Sequence, residues 1–181
     1  MYLSKTDFRE YLQCSKCLWL KKNNPDLYVR PRVSEFNQKL IDEGYEVEFV
    51  AREMFGEGVL VAGNNEEAAV KTRELIKSKV SPIFQATFIC SPGFLARIDV
   101  LVYNEFTNAW NIYEIKSSTK VKTDRNENHI FDVTFQKLVI SQVDIPVEQA
   151  YIIHLNRDFK KNGDIELFEL FTTTDVTESV T

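Results

Sequence analysis

The sequence predicts an α/β fold (α+β mixed), in which a central mixed sheet of about five strands is flanked by helices. Three observations support this prediction. Segments with helical periodicity dominate the first part of the chain. Three apolar segments then follow at short spacing, as in an antiparallel meander. A helical segment next separates the third strand from a fourth, and such a strand–helix–strand crossover joins parallel strands.

The length and composition fit one domain. The chain has 181 residues, of which 44% are hydrophobic, so it can bury a sizeable core. We expect residues 1–60 to form a helical N-terminal part and residues 80–173 to form the core of the domain. The polar ending TTTDVTESVT fits a fragment of a longer protein, with a further C-terminal domain or a protein partner, and equally a frayed native tail.

The composition also argues against several classes of protein. No run of about 18 apolar residues occurs, so we expect no membrane span, and a charged N-terminus argues against a signal peptide. The three cysteines, an odd number, indicate a reducing, cytoplasmic location. The net charge of −5 argues against a general nucleic-acid coating protein. It is compatible with a nuclease, whose metal site is itself acidic.

The N-terminal segment predicts one helix that runs to about Lys22, with Ser4 or Thr6 as its cap. Cys14 and Cys17 are one helical turn apart in this segment. A zinc site or an iron–sulfur cluster normally needs four ligands, and the chain has no second cysteine pair. We therefore expect no iron–sulfur cluster, and interpret the two cysteines as buried thiols in the core.

A loop follows, in which Arg30 and Arg32 could meet phosphates, although two exposed arginines are the simpler interpretation. A second helix is predicted from Ser34 to Phe55. Gly44 lies inside this helix and would permit the close approach of another backbone. Glu48, one turn further on, could reach a site on the sheet or be one more solvated glutamate, and the sequence alone favours the solvated glutamate.

The remaining elements follow from apolar periodicity and turn residues. The third helix has acidic residues in its first turn and lysines in its last, as the helix dipole prefers. His154 is interpreted as a core histidine of a buried strand. The predicted elements are a short strand at Val59 to Val61, a helix at Glu66 to Lys79, a strand at Pro82 to Cys90, a helix at Asn128 to Val143, and strands at Val147 to Asn156 and Ile165 to Thr173.

The stretch FLARIDVLVYNEFTNAWNIYEIKSSTKVK predicts a hairpin with strands from Phe94 to Tyr103 and from Trp110 to Ser117. Asp99 lies within the first strand, and Glu114 and Lys116 lie near the end of the second. Because strand side chains alternate between faces, Glu114 and Lys116 point the same way. Pairing of the strands would bring Asp99 beside Glu114 on an otherwise apolar surface.

Two carboxylates and a lysine in this arrangement have a chemical use. Carboxylate oxygens suit Mg²⁺ or Mn²⁺, and a lysine nearby can hold an attacking water or a developing negative charge. The short motif Glu-Ile-Lys taken alone favours a solvated strand face, but a lone buried aspartate is costly unless it is paired or bound to metal. A basic segment follows, and an ordinary solvated loop explains it equally well. Its members are Lys116, Lys120, Lys122 and Arg125.

Asp99, a spacer of fourteen residues and then Glu114-Ile115-Lys116 resemble the catalytic core of the PD-(D/E)XK nuclease superfamily. The helix that carries Gln136 follows at the distance seen in the RecB-like branch. The segments LSKTDFREYLQCSKCLWL, GYEVEFVAREMF, ARIDVLV, YEIKSSTKVK and NGDIELFELF resemble the N-terminal nuclease-like region of a family of uncharacterised bacterial and archaeal proteins. The resemblance covers nearly the whole chain and implies a restriction-endonuclease-like core with added N-terminal helices.

The resemblance also implies roles for individual residues. Asp99 and Glu114 would be metal ligands, with the Ile115 carbonyl completing the shell. Lys116 would position the nucleophilic water, and Gln136 would orient a phosphate or the lysine. One further position corresponds to a His or Glu that ligates metal in relatives, and it is occupied here by Glu48.

One departure concerns the cysteines. Iron–sulfur relatives combine an N-terminal cysteine, matched here by Cys14, with a C-terminal group of three that this chain lacks. Either the cluster is lost or its other ligands lie beyond residue 181.

These features predict a Mg²⁺- or Mn²⁺-dependent DNA nuclease of the RecB-like exonuclease type. The intact set of Asp99, Glu114 and Lys116 favours catalysis. The net charge of −5 and the absence of a long basic stripe favour the alternative, a non-catalytic module that binds nucleic acid or a partner through the same fold. A third hypothesis is an α/β domain whose carboxylates are merely structural.

Overall fold

The computed structural model describes residues 2–29, 32–124 and 127–180, and within these ranges the chain forms a seven-stranded mixed sheet flanked by six α-helices. The strands are β1 (Leu3–Ser4), β2 (Val59–Leu60), β3 (Ile83–Cys90), β4 (Phe94–Asn104), β5 (Ala109–Lys116), β6 (Val147–Leu155) and β7 (Phe171–Asp175). The helices are α1 (Lys5–Gln13), α2 (Ser15–Asn23), α3 (Glu35–Arg52), α4 (Asn65–Lys77), α5 (His129–Ser141) and α6 (Leu167–Leu170).

The strand order is β2-β3-β4-β5-β6-β7, and β1 pairs with the start of β4. β3, β4 and β5 form the predicted antiparallel meander, and α5 connects β5 to the parallel strand β6. β7 returns antiparallel to β6. The prediction of a mixed α/β sheet is confirmed. The sheet has more than five strands because it also includes β2, expected as a short strand at Val59 to Val61, and β1, whose two residues are too few to show a periodic pattern.

Apolar side chains form two clusters on opposite faces of the sheet. Neighbouring residues of β6 show the division, since Ile152 belongs to one cluster and Ile153 to the other. The larger cluster packs α4 and α5 on the sheet, and the smaller cluster receives Ala51 from the end of α3. His154 is buried and bonds to the Thr174 hydroxyl through Nε2 at 3.0 Å, as expected for a core histidine. None of the described helices is long and apolar enough to cross a membrane.

The prediction of one N-terminal helix is wrong, because the helix breaks at Cys14. The backbone of Cys14 is extended, with φ −157° and ψ 94°, and its sulfur accepts the Cys17 backbone N–H at 3.2 Å. Cys14 thus ends α1 and caps α2. The prediction of buried thiols is also wrong for this pair, since Cys14 and Cys17 are partly exposed, whereas Cys90 is buried.

The other helix predictions are confirmed to within a few residues. Ser34 caps α3, and a 3₁₀ turn at Glu53–Phe55 extends it to the predicted end. The expected close approach at Gly44 does not occur among the described residues, since a Cβ built there would meet none of their atoms within 4 Å, apart from the helix itself. Arg32 is exposed, and Arg30 and Arg125 lie outside the described residues.

The final strand begins later than predicted. The segment from 165 to 170 includes α6, and pairing with β6 starts only at Phe171. Leu167 and Leu170 of α6 pack against the smaller core cluster. The hydrophobic residues that suggested a longer strand therefore reach the sheet from a helical turn.

Asp7 joins the first two helices. It is 4% exposed, completes a capping box with Ser4, and accepts hydrogen bonds from Lys21 at 2.9 Å and Lys22 at 2.7 Å. Burial alone would raise the pKa of Asp7, but the hydrogen bonds from Lys22, Ser4 and Lys21 outweigh burial and lower this pKa well below its usual range. The ionised form of Asp7 therefore stabilises the folded chain.

We expect Asp7→Asn to lower the free energy of unfolding by about 2 kcal/mol at pH 7, because asparagine can still accept the Ser4 backbone N–H of the capping box but carries no charge for the two lysines. A carboxylate with a depressed folded-state pKa contributes most above its unfolded pKa and loses this contribution as the pH falls. Urea unfolding should therefore show a difference between variant and wild type that narrows below about pH 4. The exposed Asp26→Asn is the control, and a difference independent of pH would contradict the assignment.

Candidate functional site

The candidate site lies where β4 and β5 separate. The last β4–β5 pair on this side is Val100–Tyr113, so Asp99 and Glu114 come after the point at which pairing ends. β1 takes the vacated place beside β4, pairing Leu3 with Phe94 and Ser4 with Leu95, and α1 begins at the next residue. The gap between the strands is therefore open to side chains from α1.

Asp99 contacts the backbone of the opposite strand. Its Oδ2 accepts the Ile115 backbone N–H at 2.8 Å, and its Oδ1 accepts from Nε2 of Gln85 at 3.3 Å. Enclosure by the protein and the neighbouring Glu114 carboxylate raise the pKa of Asp99 to about 7, against an opposing effect of Lys5. A positive charge placed near Asp99 would therefore favour loss of its proton.

Glu114 is only 1% exposed and is fully engaged by hydrogen bonds. Its Oε1 accepts from Lys5 Nζ at 2.5 Å and Lys116 Nζ at 2.7 Å, and its Oε2 accepts from Gln136 Nε2 at 2.5 Å. Burial disfavours the carboxylate, but the charges of Lys116 and Lys5 outweigh this effect and lower the pKa of Glu114. Glu114 therefore remains ionised while buried.

Lys116 lies between two carboxylates. Its Nζ is 2.7 Å from Glu114 Oε1 and 2.5 Å from Asp132 Oδ2. Burial opposes the positive charge, but Glu114 and Asp132 outweigh it and raise the pKa of Lys116 above its usual value. Glu114 and Lys116 lie on the same face of β5, as predicted, and Ile115 packs in the smaller core cluster.

Two helices supply the remaining buried polar groups. Asp132 and Gln136 lie one turn apart on α5, and both are buried. Gln136 Nε2 also donates to the Arg97 carbonyl at 3.1 Å, and its Oε1 is buried with no hydrogen-bond partner in the described structure. Asp132 Oδ1 likewise has no hydrogen bond there, although Arg9 Nε lies 3.9 Å away. The site thus retains two buried acceptor atoms.

α1 contributes cations because of its packing on α5. The ring of Phe8 stacks on Phe135 with centroids 5.4 Å apart. Lys5 and Arg9 are four residues apart on α1, before and after Phe8, so the helix presents them on one side. The N-terminal helix therefore adds two basic side chains to a site built by the sheet.

Glu48 approaches the site from α3. Its Oε1 accepts from Gln85 Nε2 at 2.5 Å, and Arg52 forms an ion pair with it one turn further along α3. The same Gln85 nitrogen contacts Asp99. Glu48 is therefore linked to Asp99 through one amide, and its predicted role as a metal ligand stays a prediction.

Gln85 has an unusual backbone for a residue inside a strand. Its φ is +55°, in the left-handed region, which costs a non-glycine residue about 1–2 kcal/mol. The flanking residues keep regular pairs, Phe84 with Val100 and Ala86 with Ile98. The strain is therefore confined to the one residue that bridges Glu48 and Asp99.

The donor set bears on metal binding. Across residues 2–29, 32–124 and 127–180, no group of three or more His, Cys, Asp or Glu side chains is placed so that it could hold a metal ion. The Glu114 carboxylate already accepts hydrogen bonds from Lys5, Lys116 and Gln136. The Glu48 carboxylate accepts a hydrogen bond from Gln85 and forms an ion pair with Arg52. The carboxylates that come together here are Asp99 and Glu114, with the Ile115 backbone beside them.

The structure brings together all the predicted site residues and adds Lys5, Arg9, Gln85 and Asp132. Lys5 gave no local signal, because 109 residues separate it from Glu114. Asp132 and Gln136 share a face of α5, and their spacing of one helical turn can be read from the sequence. Gln85 is a polar residue inside the apolar segment IFQATFIC, and this interruption could have marked it.

Of the four members of the basic segment, Lys116 lies in the site and Arg125 lies outside the described residues. Lys120 is exposed, and Lys122 forms an ion pair with Glu127 at 2.8 Å. The interpretation as a solvated loop fits these two residues.

Comparison with known proteins gives little further information. No protein-family model matches the sequence, and no curated protein matches it. The chain is similar to a solved structure described as the crystal structure of SSO0001, with 11% sequence identity and a TM-score of 0.33. The match covers 93% of this chain and 76% of that one. A similarity this weak establishes neither a shared family nor a shared activity.

We expect Asp132→Asn to lower the free energy of unfolding by about 2 kcal/mol, because Lys116 loses a charged hydrogen-bond acceptor inside the protein. Urea unfolding at pH 7 measures this difference. Asp144→Asn, at an exposed position, is the matched control and should leave stability unchanged. Equal stability of Asp132→Asn and wild type would show that Glu114 alone holds Lys116.

Proposed function

We propose that this chain is a metal-dependent nuclease that hydrolyses DNA phosphodiester bonds, of the PD-(D/E)XK, RecB-like exonuclease type. The convergence of Asp99, Glu114 and Lys116 at the point where β4 and β5 separate carries the proposal. Asp99 belongs to β4, whereas Glu114 and Lys116 are alternate residues of β5, and burial of such polar groups is costly unless they are paired or bind a metal. A merely solvated strand face would not enclose them.

Under this proposal, a small divalent cation would use two carboxylates rather than a group of three, which the described residues do not provide. Mg²⁺ commonly uses one or two carboxylates, together with waters and substrate phosphate oxygens. Asp99, Glu114 and the Ile115 carbonyl would hold the ion, and Glu48 is the next carboxylate within reach. The surroundings of Asp99 support this proposal, because its carboxyl group accepts hydrogen bonds from a backbone N–H and an amide and contacts no lysine or arginine among the described residues. When bound, such an ion lowers the pKa of a water and stabilises charge on a phosphoryl group.

The other side chains would orient the reacting groups. The ammonium group of Lys116 is held from two sides by Glu114 and Asp132, so its remaining donor capacity has a fixed direction. It would hold the attacking water or the negative charge that develops on the phosphate. Gln136 would fix the Glu114 carboxylate through Oε2, and Lys5 would add a second positive charge beside the phosphate.

Hydrolysis requires in-line geometry at phosphorus. The water oxygen would attack phosphorus while the water gives up a proton, the ester P–O bond opposite would break, and the leaving oxygen would take up a proton. The chain would contribute by holding the attacking water in place, because the ammonium group of Lys116 has a fixed position. We assign the reaction to the cytoplasm, in keeping with the three free thiols.

One observation favours a second candidate function. Glu114 is paired with both Lys5 and Lys116, so its charge is already compensated by the protein. A module that binds nucleic acid or a protein partner without cutting would be stable in this state. The two candidates differ in whether DNA is cleaved.

We expect wild type to degrade end-labelled single- or double-stranded DNA with Mg²⁺ or Mn²⁺, and Lys116→Ala to reduce the rate about a hundredfold or more. The loss follows because the variant has no ammonium group to hold the attacking water. Lys120→Ala, an exposed lysine in the next loop, is the control and should cut like wild type. Equal cutting by wild type and Lys116→Ala would indicate a contaminant, and no cutting by either would favour the binding module.

We expect isothermal titration calorimetry to detect Mn²⁺ binding by wild type and to lose this signal in Asp99→Ala, which lacks one of the two central carboxylates. Asp144→Ala, at an exposed position far along the chain, is the control. Absent binding in wild type, or binding that survives Asp99→Ala, would contradict the proposed metal site.

A further inference from the structure

The two cysteines of the N-terminal segment form a pair of neighbouring thiols that the proposed function does not use. Cys14 ends α1 and caps α2, and Cys17 lies in the first turn of α2. The Cys14 sulfur accepts the Cys17 backbone N–H at 3.2 Å, and the Cys17 thiol donates a hydrogen bond to the same sulfur. The two side chains therefore face each other at the Cys-X-X-Cys spacing that is typical of redox-active dithiols.

The backbone around Cys14 holds this arrangement. The Cys14 N–H donates to the Glu10 carbonyl of α1 at 2.7 Å, and the Cys14 carbonyl accepts from the Leu18 N–H of α2 at 3.2 Å. Leu18 is itself a buried residue of the core. Cys14 is thus fixed to both helices, and the two sulfurs stay together while the chain is folded.

The two thiols have different electrostatic surroundings. Hydrogen bonds from the Cys17 thiol and from the backbone N–H groups of Cys17 and Lys16 lower the pKa of Cys14, and the charge of Lys16 adds to this effect. The hydrogen bond with Cys14 raises the pKa of Cys17. Cys14 is therefore the thiol that ionises first, and Cys17 keeps its proton longer.

Reagents can reach this pair from solvent. Cys14 and Cys17 are partly exposed, and Ser15 and Lys16 between them are exposed. Cys90, by contrast, is buried in β3, where burial raises the pKa of its thiol. A lowered pKa, exposure and a neighbouring second cysteine are the properties of reactive thiols, whereas structural cysteines that are buried are inert.

The donor set around the pair does not favour a metal. Zinc and iron–sulfur clusters normally take four protein ligands. In the part of the chain that the structure describes, no three or more His, Cys, Asp or Glu side chains are placed so that they could hold a metal ion. Two neighbouring thiols without further ligands have the chemistry of a dithiol.

We infer that Cys14 and Cys17 form a redox-active dithiol, a reversible modification site that exchanges with low-molecular-weight disulfides such as oxidised glutathione. Cys17 stands where a resolving cysteine is needed, one helical turn from the attacking sulfur of Cys14. The site is separate from the proposed nuclease site and does not depend on the nuclease activity.

The exchange has two steps. The Cys14 thiolate attacks one sulfur of oxidised glutathione, the S–S bond of the reagent breaks, and one glutathione leaves as a thiolate. Cys17 then gives up its proton and attacks the Cys14 sulfur of the mixed disulfide, which releases the second glutathione. The chain is oxidised from dithiol to disulfide, and oxidised glutathione takes up both electrons and is reduced to two glutathione molecules.

Equilibration of the full chain with glutathione buffers of increasing oxidised fraction tests this inference. Acid quenching, alkylation under denaturing conditions and intact-mass measurement then count the remaining thiols. In the most oxidising buffer we expect wild type to lose two of its three alkylatable thiols and to carry no glutathione. Cys17→Ser should stop at the mixed disulfide and keep glutathione on Cys14, because this variant lacks the resolving thiol. Wild type that keeps all its thiols, or that retains glutathione, would overturn the inference.

Reaction rates separate the two cysteines. Both serine variants should fold, because serine is a good helix cap at position 14 and a hydrogen-bond donor at position 17. At pH 7 we expect Cys17→Ser to react with oxidised glutathione about tenfold faster than Cys14→Ser, because the thiol that it retains ionises more readily. This difference should disappear in urea, where the hydrogen bonds that distinguish the two thiols are lost.

Cys90→Ser is the matched control, since it removes the buried thiol and leaves the pair intact. This variant should form the disulfide over the same range of glutathione buffers as wild type. Loss of disulfide formation in Cys90→Ser would show that Cys14 and Cys17 are not the reacting pair. Equal rates for folded Cys14→Ser and Cys17→Ser would overturn the assignment of Cys14 as the attacking thiol.

Discussion

The buried charge of Glu114 is the constraint on which the rest of the site depends. A carboxylate that is 1% exposed is tolerated only with charged or hydrogen-bonding partners at short distance. Those partners come from three elements that are distant in sequence, namely Lys5 on α1, Lys116 on β5 and Gln136 on α5. Compensation of this one charge therefore ties the N-terminal helix and the crossover helix to the same end of the sheet.

The carboxylates of the site are not equally compensated by cations, and this difference distinguishes Asp99 from Glu114 and Asp132. Glu114 and Asp132 each contact a lysine directly, whereas the described residues place no ion pair on Asp99. Asp99 instead accepts from a backbone N–H and from the Gln85 amide, and its pKa rises to about 7. Asp99 is thus the one of these three carboxylates without a cationic partner among the described residues, and under the proposed function a cation would be stabilised beside it.

Sequence patterns predicted the sheet, the hairpin and the side-by-side placement of Asp99, Glu114 and Lys116, because alternation along a strand is a local property. They failed where a distant contact decides the outcome. Nothing near Lys5 indicates its partner 109 residues away. The break at Cys14 depends on a sulfur that caps the following helix, and the left-handed backbone of Gln85 has no periodic signature. The placement of the two carboxylates and the lysine was therefore more predictable than the contacts that hold them.

Under the proposed function, the local charge balance would reconcile an acidic chain with an anionic substrate. The site has four carboxylates, on Glu48, Asp99, Glu114 and Asp132, and four basic groups among the described residues, on Lys5, Arg9, Arg52 and Lys116. Their formal charges cancel, although the chain as a whole carries −5. Under the proposed function, a divalent cation held by Asp99 and Glu114 would make the site positive, and a phosphate would then be attracted at short range. Affinity for DNA would therefore depend on the cation rather than on a basic protein surface.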